Sequence, residues 1–173
     1  MIWLLRHTRV SVAPGICYGR SDVALAVGAP AEIAATAALL PPLPGALVIS
    51  SPARRCMALA AAISPDFTTD ARLLELDFGA WEGMAWDDVP RDALDSWAAD
   101  PWGFSAPGGE SGVGLLARVK QFWAARPERP LVIISHGGPL RLLRQLAEGR
   151  APDILEPPPA LGAAVRIGYS VAG

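Results

Sequence analysis

Three short apolar runs punctuate the chain: "IWLL" at 2–5, "ALVIS" at 46–50 and "LVIIS" at 131–135. Each is partly β-branched and has turn residues nearby, the pattern of a strand buried on both faces. Stretches of helical periodicity follow. In "SPARRCMALAAAI" the residues Cys56, Leu59, Ala60 and Ile63 share one face. In "GLLARVKQFWAA" the stripe is Leu115, Leu116, Val119, Phe122 and Trp123. In "HGGPLRLLRQLAEG", Pro139 suits a first helical turn and Gly149 a stop.

Strands alternating with helices predict an α/β fold, a three-layer α/β/α sandwich around a mostly parallel sheet. The tail "AVRIGYSV" alternates and reads as a last strand at an edge, while the Pro-rich segments 41–44 and 157–159 read as loops. "LLELDFGAWEG" also alternates as a strand would, with Leu74, Leu76 and Phe78 on one side and Glu75 and Asp77 on the other. Glu82 falls beyond Gly79, past the end of that alternation.

Composition narrows the functional classes. The 173 residues are 51% apolar and 18% charged, enough for one folded domain over 1–173 with a sizeable core. A net charge of −2 gives no broad basic face, so nucleic acid is not an expected partner. No apolar run nears the roughly 20 residues of a membrane helix. Met1 leads straight into a strand without a signal-like n-region and h-region, so a reduced, cytoplasmic setting is the expectation. The two cysteines, Cys17 and Cys56, form no metal-type pair, and no metal or other cofactor is expected. The high apolar fraction is compatible with a homodimer but places no interface.

In open parallel sheets, ligands bind beyond the carboxyl ends of the strands. The first strand is followed by Arg6, His7 and Thr8, the second by Ser50, Ser51 and the pair Arg54-Arg55, the third by Ser135, His136, Gly137 and Gly138. Both histidines of the chain fall in this set. Arginine forks pair with phosphate oxygens, glycine N–H groups opening a helix add anion contacts, and a neutral imidazole attacks phosphorus. A second, protonated histidine would stabilise the equatorial oxygens. The set therefore points to phosphoryl transfer. Helical phase puts Arg55 beside the buried face and Arg54 toward solvent, so Arg55 is the expected phosphate ligand. A leaving alkoxide needs a proton, and Glu75, Asp77 and Glu82 are the acids available for it.

Five motifs, "LLRHT", "SSPARRC", "LLELDFGAWEG", "PGGES" and "ISHGG", together resemble the histidine phosphatase superfamily, in its phosphoglycerate-mutase-like branch, over residues 3 to about 145. The resemblance implies that fold and a metal-independent phosphomonoesterase acting on a small-molecule phosphomonoester. His7 would be the phosphohistidine nucleophile and Glu75 the general acid, with Arg6, Arg55 and His136 completing the phosphate pocket. Within the family, "RHTRVSVAPGICYGRSDVAL" is most similar to α-ribazole phosphatases of cobalamin lower-ligand assembly; the alternatives are a broad-specificity phosphatase of sugar phosphates or phosphoprotein, or a catalytically dead phospho-ligand binding module. Gly19, Arg20 and Gly137 are further expected substrate contacts, and the Thr8 hydroxyl is expected to bond either a phosphate oxygen or its own turn. The family's usual glycine after the nucleophile is Thr8 here, and the asparagine of mutases is Ala13. The family fold would make residues 79–108 a lid-like insertion. It holds Trp81, Trp86, Trp97 and Trp102, read mainly as packing residues and otherwise as a stacking surface for a flat leaving group.

Overall fold

The computed structural model describes residues 1–168. Its elements in chain order are β1 (Ile2–Arg6), α1 (Ala29–Ala37), β2 (Leu47–Ser50), α2 (Arg54–Ile63), β3 (Thr68–Thr69), α3 (Arg91–Ala99), α4 (Gly112–Ala125), β4 (Leu131–Ser135), α5 (Gly137–Ala147) and β5 (Ala164–Ile167). The sheet runs β3-β2-β4-β1-β5, parallel throughout except where β5 pairs antiparallel with β1. All three apolar runs are strands. The tail supplies the expected edge strand in β5, and residues 169–171 of that expectation lie outside the described residues.

Alternation along the central strands explains the three layers. Leu4, Ile49, Leu131 and Ile133 pack with Leu115, Val119 and Phe122 of α4 and Leu140 and Leu143 of α5. Their neighbours Leu5, Val48, Val132 and Ile134 face the other way, onto Ala29 and Ile33 of α1 and Cys56, Leu59 and Ala60 of α2. Successive strand side chains point to opposite faces, so near-continuous apolar runs are what a doubly covered sheet demands. Segment 79–108 builds a third, smaller cluster in which Trp81 stacks on Phe104 at 5.6 Å and meets Trp86 edge-on at 6.3 Å. Trp97 joins that cluster and Trp102 packs against the main core, so the packing reading of the tryptophans is the one their contacts support.

Two features depart from the sequence pattern. Helix α1 carries few large apolar residues: its buried positions are Ala29, Ile33 and Thr36, which make a weak amphipathic signal. Residues 74–78 form no strand. Leu76 is buried as the alternation requires, but the segment joins no ladder, and arginine side chains take its carbonyls instead. Gly79, at φ +50°, then turns the chain against residues 107–109, where a Cβ would stand 2.3 Å from Pro107 O and 2.5 Å from Gly109 N. Both obstacles are backbone. Gly79→Ala is therefore expected to cost at least about 2 kcal/mol of folding stability, from left-handed strain plus the clash, read from urea denaturation.

Candidate active site

The register of β1 on β4 sets Arg6 opposite Ser135, and the pairing continues one step as His7 N–H donates to Ser135 O at 3.2 Å. His7 and His136 therefore leave neighbouring strands at the same height. The chain turns from β1 toward α1 on one face and from β4 into α5 on the other, the topological switch point where such sheets bind ligands. The two imidazoles meet edge-on with centroids 5.2 Å apart.

Burial and hydrogen bonds fix the state of each ring. His7 Nδ1 lies 2.8 Å from the carbonyl of Thr8, so Nδ1 carries the proton and donates it, leaving the Nε2 lone pair free. Desolvation, reinforced by the charges of Arg55 and Arg6, lowers the His7 pKa to about 3. His136 is held well below its ordinary value by burial first, then by Arg55 and His7, and its Nε2 pairs with Ser51 Oγ at 2.8 Å. Both shifts favour neutral rings near pH 7, so the protonation that would let His136 stabilise equatorial oxygens is not supplied by its protein surroundings.

The cations are held by carbonyls. Arg55 is fully buried, donating from Nη1 to Ser21 O at 2.8 Å and from Nη2 to Gly19 O at 2.7 Å, with its guanidinium 5.2 Å over the Tyr18 ring. Arg54 is exposed, as its phase on α2 requires. Arg6 donates from Nη1 to Pro159 O at 2.7 Å. The buried Nε atoms of Arg6 and Arg55 and the buried Oγ1 of Thr8 find no hydrogen-bond partner among the described residues. The Thr8 hydroxyl is therefore not used by its own turn. Buried donors without acceptors are costly, and cations fixed by neutral carbonyls keep their full charge for an anion.

Among the three acids, Glu82 is fully engaged: it accepts from Arg20 N, Ser21 N, Ser21 Oγ and Phe78 N at 2.5–3.1 Å. It anchors the 19–21 loop that holds Arg55. Asp77 caps Gly79 N at 2.8 Å and lies 3.6 Å from Arg20 Nη1. Glu75 reaches the opening of α5, where Oε2 is 3.3 Å from Gly138 N. The glycines after His136 are what permit this approach. A Cβ on Gly137 would be 3.2 Å from Arg6 Cζ, and one on Gly138 would be 2.4 Å from Glu75 Oε1.

Of the other residues expected at substrate, Gly19 contributes the carbonyl on Arg55, and Gly137 opens α5 beside Arg6. Arg20 directs Nε to Glu75 O and Nη2 to Glu110. Sequence reasoning assigned no role to Ser51 on His136, to Cys56, whose Sγ is 3.5 Å from His136 Nε2, or to Glu110 and Arg118 around Glu75. The "PGGES" motif was the signal that could have found Glu110. Burial pushes the thiols of Cys17 and Cys56 up to about 12, so neither is a nucleophile at neutral pH. Among the described residues no group of three or more His, Cys, Asp or Glu is gathered to hold a metal, and no helix is long and apolar enough to cross a membrane.

The depressed His7 pKa makes a stability prediction. Between about pH 6.5 and 3 the unfolded chain protonates this ring and the folded protein does not, so stability falls with acidification. From pH 7.5 to 5 the wild type is expected to lose about 2 kcal/mol more than His7→Gln, measured by urea denaturation of both proteins.

The comparisons with known proteins agree with this architecture. A bifunctional protein of Mycobacterium tuberculosis is 30% identical over 157 residues, 83% of this chain and 43% of its own length. Phosphoserine phosphatase 1 of Hydrogenobacter thermophilus is 29% identical over 109 residues, 56% of this chain and 51% of its own length. The chain thus spans about half the length of these curated relatives or less. Among solved structures, the protein TTHB049 of Thermus thermophilus superposes with TM-score 0.78 at 26% identity, over 94% of this chain and 90% of that one. Phosphoglycerate mutase of the same organism gives 0.75 at 27%, over 98% and 99%. A mycobacterial glucosyl-3-phosphoglycerate phosphatase gives 0.71 at 26%, over 84% and 78%. The sequence profile of the histidine phosphatase superfamily (branch 1) matches residues 2–167, and the chain belongs to that superfamily.

Proposed function

We propose that the protein is a metal-independent phosphomonoester hydrolase working through a phosphohistidine. The observation that carries this reading is the state of His7: a buried, neutral ring whose Nδ1–H is tied to Thr8 O, beside Arg6, Arg55 and His136. His7 Nε2 attacks phosphorus in line and the bond to the ester oxygen breaks. Arg6 and Arg55 neutralise the transferring group. Glu75 gives its proton to the departing oxygen; its carboxylate then takes a proton from water, which attacks the phosphohistidine to release phosphate and restore neutral His7. Thr8 and the Gly137 N–H would add contacts to phosphate oxygens, and segment 79–108 would cover the leaving-group side. His136 would gain its proton or share one only as the dianion arrives and offsets the field of Arg55.

For the substrate, the likeness of "RHTRVSVAPGICYGRSDVAL" to α-ribazole phosphatases favours α-ribazole 5′-phosphate. The named phosphatases among the similar proteins act on glucosyl-3-phosphoglycerate and phosphoserine, and make a sugar phosphate or another phosphomonoester the alternative. Ala13, at the place of the asparagine of mutases, favours water over a second sugar phosphate as acceptor.

Hydrolysis of p-nitrophenyl phosphate, unchanged by chelator, is the first expected result. His7→Ala should lower kcat at least about 10³-fold, and unchanged turnover in that variant would overturn the mechanism. A phosphomonoester panel including α-ribazole 5′-phosphate decides the substrate by kcat/KM. In Gly138→Ala the new methyl meets the flexible end of Glu75, so the fold should survive. Displacing that carboxyl should cost on the order of 10²-fold in turnover with little change in melting temperature.

A further inference from the structure

Residues 72–77 present a row of carbonyls that no strand ladder satisfies; Ser135 Oγ takes that of Leu73, and the contacts to those of Arg72, Leu74, Glu75 and Asp77 converge on one residue. Arg118, from the middle of α4, donates from Nη1 to Arg72 O at 2.7 Å and Leu74 O at 2.6 Å, and from Nη2 to Glu75 O at 2.9 Å. Arg20, from the loop after β1, donates from Nε to the same Glu75 carbonyl at 3.0 Å. The Glu75 carbonyl is thus held by two guanidiniums arriving from separate parts of the chain.

Both guanidiniums are oriented by Glu110. Its carboxylate takes Arg118 as a two-pronged pair, Nε on Oε1 at 2.7 Å and Nη2 on Oε2 at 2.9 Å, and accepts Arg20 Nη2 on Oε2 at 3.1 Å. The side chains of Arg118 and Glu110 are only 14% and 16% exposed, so the pair is little screened by water. Glu110 N–H also donates to Asp77 O at 2.8 Å, closing the far end of the segment. These contacts of Glu110 all bear on the stretch that carries Glu75, at one remove from the chemistry.

We infer that Glu110 is a positioning residue for Glu75, setting the proton donor through Arg20 and Arg118. The inference rests on the reading of Glu75 as general acid. A second feature separates this device from phosphate binding. The loop that holds Arg55 is fixed by Glu82 through Arg20 N, Ser21 N and Ser21 Oγ, contacts that do not involve Glu110. Loss of Glu110 should misplace the acid and leave the arginine pair in place.

The test separates the two by leaving group. A p-nitrophenolate departs without protonation, whereas an alkoxide needs the acid. The kcat/KM for each reports phosphoryl transfer to His7, before hydrolysis of the phosphoenzyme. Glu110→Gln is expected to lower kcat/KM about 10- to 100-fold for an alkyl phosphate that the wild type turns over, and less than about 3-fold for p-nitrophenyl phosphate. The loss should lie in kcat with KM kept, and inhibition by inorganic phosphate should stay within about 2-fold of wild type. Glu110→Asp, which keeps the charge but shortens the reach to both guanidiniums, should show the same split to a smaller degree and decides the matter if Glu110→Gln does not fold. Equal losses on both substrates, or no loss in a folded variant, would overturn the positioning role. Glu75→Gln is the control: a larger split of the same kind upholds the acid itself, and its absence removes that reading whatever Glu110 does.

Discussion

Everything at the candidate site hangs on the parallel pairing of β1 with β4. Because Arg6 is in register with Ser135, the residues that follow, His7 and His136, emerge together at one end of the sheet. Near the surface either imidazole would titrate at about pH 6.5 and carry charge on mild acidification. Side by side between two helical layers, each excludes water from the other, and burial is the main cause of both depressed pKa values. The arginines then set the sign of the field. Since neutral carbonyls hold Arg55 and Arg6, those contacts leave their charge uncancelled.

What was legible in the sequence follows from what is local. Continuous apolar runs marked β1, β2 and β4, alternation marked β5, and period-3.6 stripes marked α2 and α4, whereas β3 and α3 went unmarked. Phase on α2 separated buried Arg55 from exposed Arg54, because these signals are set by a residue's near neighbours. The motifs "RHT" and "SHGG" could be placed at strand ends for the same reason. Helix α1 escaped because alanines bury little surface and leave a weak moment. The false strand at 74–78 had a correct alternation, but a ladder needs a partner strand, and partnership is a long-range property. The same limit hid Glu110, Arg118 and Ser51, whose roles depend on contacts across 8 to 85 positions of chain.

The glycines illustrate how a small residue becomes chemically specific. Gly138 is needed because Glu75 comes within 2.4 Å of where its side chain would begin, and Gly137 because Arg6 closes in from the other side. Both also leave the first turn of α5 free to expose N–H groups toward an anion. Thr8 is the opposite case. It stands where the family has glycine, is fully buried, and keeps an unpartnered hydroxyl next to the ring whose proton its own carbonyl fixes.

The far edge of the sheet has a consequence for association between copies. Strand β3 is only two residues long, Thr68 and Thr69, and both are exposed. A neighbouring strand laid against it would find too few free backbone groups to pair with, so growth of the sheet by edge-to-edge addition is blocked there. An assembly of this protein that uses the β2–β3 side must be built from helix or loop surfaces.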